Sequence, residues 1–198
     1  VSAILHKSFS IAVKQGYLIS NPCDAAEPPK VTRPDIHPLT DKEIPLFLSA
    51  IDTHPYRNAY ALCLFAGLRE GECLGLSWDG VDFERGRLTI RQQLQKSKTQ
   101  SSTYTVVNST KNGKSRVIET PAVAFEYLRA ERVRQAENRL RAGRMWSNPD
   151  NLVFTNGFGG NLIIETFRRN FKRIASDIGR PDLRPHDLRH TCATVAIA

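Results

Sequence analysis

Long hydrophobic runs are missing from this sequence, and their absence excludes a large class of proteins. No apolar stretch in the 198 residues reaches the length of about 20 residues that a helix needs to cross a bilayer. No secretory signal peptide opens the chain either. We therefore expect a soluble, cytoplasmic protein with no membrane partner.

Cysteine is also scarce. The sequence has four cysteines, at positions Cys23, Cys63, Cys73 and Cys192. None forms a close pair of the kind that holds zinc, and three lie in apolar helical patterns. We predict reduced thiols, as in a cytosolic protein, and no metal site.

Positive charge, by contrast, is abundant. The net charge is +8, and hydrophobic residues make up 40% of the chain, which is a globular composition. A basic protein favours a polyanionic partner, most simply nucleic acid, although solubility or a membrane surface explains many basic sequences equally well. The length suits one full domain and a fragment of another.

Prolines near the N-terminus predict a domain boundary. Residues 1–20 resemble the end of a helix that begins upstream of the chain, and Asn21-Pro22 terminates it. Residues 21–38 form a predicted extended linker, which contains Pro28, Pro29, Pro34 and Pro38. We therefore predict a first domain that ends at residue 20 and a second domain over residues 39–198.

The hydrophobic period after the linker predicts helices around a small sheet. A capping box at Thr40 and Glu43 starts the first helix, and further helices are predicted at residues 56–66, 68–76, 122–142, 164–179 and from 185 onward. Strands are predicted around the Arg85-Gly86 turn. A polar link over residues 92–102 follows, and then a hairpin that pairs Tyr104–Val107 with Arg116–Ile118. The prediction is a mostly helical α+β fold with an antiparallel sheet of about three strands.

The last motif, residues 185–191, places two phosphate-binding side chains on one helix face. His186 and Arg189 are three residues apart and are therefore neighbours on a helix. Both lie near the helix N-terminus, where an anion is favoured. The opposite side carries a predicted apolar stripe formed by Leu188, Cys192 and Val195.

Three further features have both a functional and a plain explanation. Arg69 follows a buried helix and a glycine, where a guanidinium needs an anion or a carboxylate; taken alone, a surface pair with Glu72 explains it better. Lys111 lies at the tip of the predicted hairpin and could deliver a proton to a leaving oxygen, or it belongs to a basic turn. The helix at residues 164–179 has a basic face that could follow a DNA backbone or be merely solvated, formed by Arg168, Arg169, Lys172 and Arg173.

Together and in this order, the motifs resemble the catalytic domain of the tyrosine recombinases, the phage integrase family. The resemblance is carried by Gly-Leu-Arg-x-x-Glu with Leu-x-Trp-x-x-Val-Asp (67–82), Thr-Lys with Ser-Arg (110–116), Val-Phe-Thr-Asn (153–156) and His-x-x-Arg-His-Thr (186–191). It covers about the whole chain, since the first 38 residues resemble the last helix of a core-binding domain and its linker. It implies the tyrosine recombinase catalytic fold.

The resemblance also implies residue roles. Arg69 and Arg189 resemble the two arginines that clamp the scissile phosphate, and Lys111 resembles the general acid toward the 5′ oxygen. His186 is similar to the histidine that hydrogen-bonds the phosphate and assists proton transfer. Glu72 matches the acidic residue that supports the site.

Other assignments are less specific. His190 is either a ligand or proton carrier, or a capping or packing histidine. Lys98 and Lys114 are alternatives to Lys111. Further predicted DNA contacts are Lys114, Arg116, Arg168, Arg169, Lys172 and Arg173.

In the family, a second histidine or tryptophan and then the tyrosine nucleophile follow the His-x-x-Arg motif. None of the tyrosines here lies in that position, so we expect a chain truncated before its nucleophile; they are Tyr17, Tyr56, Tyr60, Tyr104 and Tyr127. The complete enzyme would form a 3′-phosphotyrosyl link and release a 5′-hydroxyl. Because bond energy is conserved in that link, neither a cofactor nor a metal is implied.

The resemblance implies a site-specific recombinase that integrates or excises a mobile element in a bacterial nucleoid. Its partners would be double-stranded DNA recombination sites, with a homo-tetramer assembled on paired sites. Two alternatives stay open. One is a catalytically inactive DNA-binding relative, and the other is a type IB topoisomerase-like enzyme that nicks and closes DNA.

Overall fold

The computed structural model describes residues 2–26, 37–97, 104–108 and 115–195. The chain divides into two compact units, residues 1–35 and residues 36–198. Within the described ranges, no helix has both the length and the apolar character that a membrane crossing needs.

The first unit contains helix α1 (Ser2–Lys14), followed by a short 3₁₀ helix (Pro22–Ala25). Asn21 joins the two. Its side-chain oxygen accepts the N–H of Cys23 at 3.0 Å, and its amide nitrogen donates to the carbonyl of His6 at 3.0 Å. The helix predicted at the start of the chain is therefore present, and it ends at Lys14.

The second unit is built mainly of helices, as the hydrophobic period predicts. Its described helices are α2 (Glu43–Ile51), α3 (Arg57–Ala66), α4 (Glu70–Leu74), α5 (Ala122–Ala142), α6 (Ile164–Asp177) and α7 (Pro185–Val195). Helix α5 has the predicted bounds. Helix α4 is shorter than predicted because Arg69 is extended, with ψ of 150°. Thr40 N–H donates to Glu43 Oε2 at 2.8 Å, which is one half of the predicted capping box. The other half is not formed, because the N–H of Glu43 donates to the Thr40 carbonyl and the helix begins after Lys42.

Aromatic side chains fix α3 against α6. The rings of Tyr60 and Phe167 have centroids 4.4 Å apart, and the Tyr60 hydroxyl donates to the carbonyl of Phe167 at 2.7 Å. Helix α3 is buried along nearly its whole length, as its apolar pattern predicts. It ends at Gly67, whose φ of 59° lies in the left-handed region that favours glycine.

The described strands form two antiparallel sheets. One sheet has the order β1-β2-β5, formed by β1 (Val81–Asp82), β2 (Arg87–Ile90) and β5 (Arg116–Glu119). The other pairs β3 (Gln92–Lys96) with β4 (Tyr104–Asn108). The predicted α+β fold with a small three-stranded antiparallel sheet is therefore confirmed.

The predicted hairpin of Tyr104–Val107 with Arg116–Ile118 is wrong. Strand β4 pairs with β3, where Val106 lies opposite Leu94, and strand β5 pairs with β2. Part of the predicted polar link is thus a strand. Its position is explained by Leu94, which is only 1% exposed and packs in the core between polar neighbours.

Candidate functional site

The chain turns sharply between α3 and α4, and this turn presents Arg69. A Cβ added to Gly67 would lie 3.2 Å from Cys192 Sγ on α7, so the turn is also tightly packed. The N–H of Arg69 donates to Glu72 Oε2 at 3.0 Å, and its Nη1 donates to Oε1 at 3.0 Å. The predicted Arg69–Glu72 pair is therefore present, while 54% of the Arg69 side chain stays exposed.

Glu72 is the buried centre of an arginine cluster. Its side chain is 4% exposed, and Arg116 Nη2 at the start of β5 donates to its Oε2 at 2.8 Å. Burial by itself raises the pKa of Glu72, but the N–H of Arg69 and the positive charges of Arg116 and Arg69 outweigh burial and lower that pKa. Glu72 is thus a charged carboxylate with partners from two distant segments.

Helix α7 brings Arg189 and two histidines to the same region. Arg189 Nη1 donates to the carbonyl of Gly67 at 2.5 Å, which joins α7 to the turn before α4. The rings of His186 and His190 have centroids 4.9 Å apart at an angle of 85°. The predicted neighbours His186 and Arg189 therefore lie beside the Arg69 turn.

The N-terminal part of α7 is held by buried polar residues. Asp187 Oδ2 accepts the N–H of Arg184 at 2.8 Å, and Thr191 Oγ1 accepts the N–H of Leu39 at 2.9 Å. The predicted apolar stripe is correct only in part, because Leu188 is buried whereas Val195 is 51% exposed. Asp187 and Thr191 share the packing face with Leu188 instead.

Positive charge is concentrated in this region. Burial and the charges of Arg116 and Arg69 lower the pKa of Arg189. Partial burial, the neighbouring His190 and the charges of Arg189 and Arg69 lower the pKa of His186 below its usual range. Arg69 and Arg116 bond Glu72, and Arg189 interacts electrostatically with all three, so the cluster keeps an excess of positive charge and favours an anion.

An open cleft of about 790 Å³ lies next to the cluster. Its wall contains Arg69 and His186 together with basic and polar side chains from β3, β4, α6 and the segment before α7, among them Lys96, Tyr104, Arg168, Lys172 and Arg184. The sequence did not single out Lys96 or Arg184. Lys96 fell in the predicted polar link. In a strand it shares a face with Leu94, two residues earlier, and this spacing was the signal that could have placed it.

Two ion pairs cross this cleft to α6. Arg168 pairs with Glu70, with Nε 2.9 Å from Oε1 and 3.0 Å from Oε2, and Lys96 Nζ lies 3.6 Å from Glu165 Oε1. The four basic residues predicted on α6 line one groove of about 600 Å³, namely Arg168, Arg169, Lys172 and Arg173. The predicted basic face is therefore present, but Arg168 is engaged by a carboxylate.

Several predicted residues cannot be placed. Lys111 and its alternatives Lys98 and Lys114 lie outside the described residues. Among the residues that the structure describes, no three His, Cys, Asp or Glu side chains are grouped as metal ligands.

The profile of the phage integrase family matches residues 37–197. The chain belongs to the phage integrase family. This integrase-family chain is 30% identical to a "Tyrosine recombinase XerC-like" of Caldanaerobacter subterraneus subsp. tengcongensis, over 94% of this chain and 51% of the relative. It is 27% identical to the "Integrase" of Mycobacterium phage L5, over 98% of this chain and 49% of the relative. The integrase-family chain thus spans about half the length of these relatives.

Solved structures of integrases have the same fold. The Tn1549 transposon integrase in complex with transposon right end DNA superposes with a TM-score of 0.79 at 21% identity, over 99% of this chain and 64% of that one. A lambda integrase dimer bound to a COC′ core site gives a TM-score of 0.61 at 17% identity, over 98% of this chain and 63% of that one. The fold that the resemblance implies is therefore confirmed.

Proposed function

We propose that the gene product carrying this chain is a site-specific DNA recombinase or integrase, which cleaves and rejoins DNA through a 3′-phosphotyrosyl intermediate. The observation that carries the proposal is the cluster of Arg69, Arg116 and Arg189 around buried Glu72, beside His186 and an open basic cleft. Fixed guanidiniums with an excess of positive charge stabilise the dianionic, pentavalent transition state of a phosphodiester. Membership of the phage integrase family supports the same chemistry.

The proposed roles follow from these positions. Arg69 and Arg189 bind the non-bridging oxygens of the scissile phosphate, for which the guanidinium fork is suited. His186, whose pKa is lowered, is a neutral imidazole near pH 7 that can hydrogen-bond the phosphate and pass on a proton. Glu72 positions Arg69, and His190 packs against His186. Lys111 is proposed as the general acid from its place in the motif alone.

The attacking group is a tyrosine of the full gene product, and we assign the role to none of the tyrosines present here. Tyr60 is buried, with its hydroxyl bonded to a carbonyl. In the reaction the tyrosine hydroxyl loses its proton, which neutral His186 can accept, and its oxygen forms a bond to phosphorus. The bond to the 5′ oxygen breaks, and that oxygen takes a proton from the general acid. Rejoining is the reverse, with a 5′-hydroxyl as the attacking group.

The DNA partners and assembly are part of the proposal. Residues 1–20 would end a core-binding domain and residues 21–38 would link it to the catalytic domain. The basic groove on α6 would follow the backbone of a double-stranded recombination site. Four protomers would pair two such sites in the bacterial nucleoid to integrate or excise a mobile element.

The test is covalent capture on a nicked suicide duplex, whose sequence is first selected from a random pool by binding to the full gene product. We expect a phosphotyrosyl adduct that forms without added metal. Binding without an adduct would favour the inactive DNA-binding relative. Relaxation of supercoiled plasmid with no preferred site would favour the topoisomerase-like enzyme.

A further inference from the structure

Arg116 lies at a junction between the three-stranded sheet and the buried carboxylate of Glu72. It is the first residue of β5, and its backbone pairs with Ile90 of β2. Its Nη2 donates to Glu72 Oε2 at 2.8 Å, and 37% of its side chain is exposed. The sheet therefore fixes the base of this side chain, and the carboxylate fixes its tip.

The same carboxylate holds Arg69. Glu72 Oε2 accepts both Arg116 Nη2 and the N–H of Arg69, while Oε1 accepts Arg69 Nη1 at 3.0 Å. Glu72 is 4% exposed, so solvent water has little access to replace a donor that is lost. Removal of Arg116 would leave Oε2 with only the backbone donor, and the carboxylate could then rotate and carry the Arg69 guanidinium with it.

Arg116 also interacts electrostatically with Arg189 of α7. Its positive charge lowers the pKa of Arg189, after burial and together with the charge of Arg69. Like charges that are close enough to shift a pKa repel one another, and a bound anion relieves that repulsion. The side chain therefore belongs to the anion-binding cluster and not to the groove on α6, which is lined by other basic residues.

We propose that Arg116 is a positioning residue of the cleavage site, acting through Glu72 to hold Arg69, and is not a contact to the flanking DNA backbone. This assignment rests on the proposed recombinase function. It goes beyond the two arginines expected from the motifs, because it gives the buried carboxylate a second arginine from a different part of the chain.

The experiment measures single-turnover cleavage by the full gene product on the nicked suicide duplex, at saturating DNA. We expect R116M to slow cleavage by about 10- to 100-fold, with the DNA dissociation constant unchanged within about twofold. R116K should recover part of the rate, because it restores a charged donor. In an E72Q background, R116M should slow cleavage little further, since both changes remove the same restraint.

A matched control lies in the same sheet. Arg87 on β2 pairs with Glu119 on β5 at 3.0 Å, away from the cluster, and R87M should leave both rate and affinity unchanged. Thermal melting of each variant separates misfolding from loss of positioning. If R116M has a lowered melting temperature, R116K replaces it in the cleavage and binding measurements, because it keeps a cationic side chain at this position.

Three results would overturn the assignment. First, R116M could weaken DNA binding and reduce by about one the slope of the log binding constant against log salt concentration, and its effect on the cleavage rate could add fully to that of E72Q. This is the behaviour of a contact to the DNA backbone. Alternatively, folded R116M could cleave at the wild-type rate. Finally, if the wild-type protein binds the duplex but never cleaves it, both the proposed function and this assignment are wrong.

Discussion

Two buried glutamates are held by arginines in this molecule, but their surroundings differ in net charge. Glu131 on α5 is 1% exposed; it pairs with Arg134, whose Nε lies 3.0 Å from Oε2, and accepts the amide of Asn58 at 2.8 Å. Glu72 is 4% exposed and is bonded by Arg69 and Arg116, with Arg189 close by. One carboxylate is paired with one guanidinium in the first cluster. In the second, one carboxylate is bonded by two guanidiniums and interacts electrostatically with a third.

The difference separates a structural from a functional use of the same chemistry. Arg134 also donates to the carbonyl of Thr155 at 3.1 Å, so the Glu131 cluster joins α5 to a buried segment and to α3 with its charges balanced. The Glu72 cluster keeps unbalanced positive charge beside an open cleft. The balanced charges of the Glu131 cluster hold segments of the fold together, whereas the unbalanced positive charge of the Glu72 cluster favours binding of an anion.

The largest effect should come from removing a charge of the unbalanced cluster. In the full gene product, R189A should slow single-turnover cleavage by about 10²- to 10³-fold, because a preorganised donor to the transition state is lost. Its melting temperature should change little, since repulsion with Arg69 and Arg116 is relieved. R141A, an exposed arginine of α5, is the control. Cleavage by R189A at the wild-type rate would contradict the role of this arginine.

The balanced cluster should respond in stability instead. E131A should lower the free energy of unfolding by about 3 kcal/mol, because a buried ion pair loses one partner. Urea denaturation measures this loss. E137A removes an exposed pair on the same helix and should change stability by less than about 0.5 kcal/mol. If E131A is as stable as the wild type but cleaves slowly, the Glu131 cluster has a functional role and the contrast with the Glu72 cluster is wrong.

A smaller effect is expected at the edge of the cleft, where Glu70 engages Arg168. E70Q should free this guanidinium for a DNA phosphate and raise affinity by about two- to fivefold at low salt, with a steeper salt dependence. Fluorescence anisotropy over a salt series measures both. E119Q makes the same change of charge on β5 and is the control. Unchanged or weaker binding by E70Q would show that Glu70 does not compete with phosphate.

The smallest effect should appear as a dependence of stability on pH. The pKa of His186 is lowered in the folded protein, so the unfolded chain binds a proton at higher pH, and stability falls as pH decreases through about 6.5. The groups that face His186 are His190, Asp187, Arg189 and Arg69. H186Q should show a shallower decrease in melting temperature between pH 8 and pH 5. If the melting temperatures of H186Q and the wild type decrease equally with pH, the surroundings of His186 do not lower its pKa.

Local features of the fold were predictable from the sequence. The bounds of α5 and the end of α3 at Gly67 follow from hydrophobic period and from a glycine that tolerates a positive φ. Strand pairing was not predictable in the same way. The Asn112-Gly113 signal favours a local hairpin, but β4 and β5 each pair with a strand that precedes both of them.

The same limit applies to the site. The Arg69–Glu72 pair is an i,i+3 contact and could be predicted from spacing. Arg116 is 44 residues from Glu72 in the sequence, and Arg168 is 98 residues from Glu70. Nothing local distinguishes Arg116, which joins a carboxylate of the cluster, from an arginine on a solvated strand end.

The contact between Arg189 and the carbonyl of Gly67 spans 122 residues of sequence, and it has a consequence for folding. Loop-closure entropy delays such distant contacts until most of the chain is ordered. A partly folded chain therefore carries its arginines dispersed, with no pocket that could activate a phosphodiester. Assembly of the arginine cluster is therefore a late event of folding, and the phosphodiester chemistry proposed above would become available only when these distant segments have met.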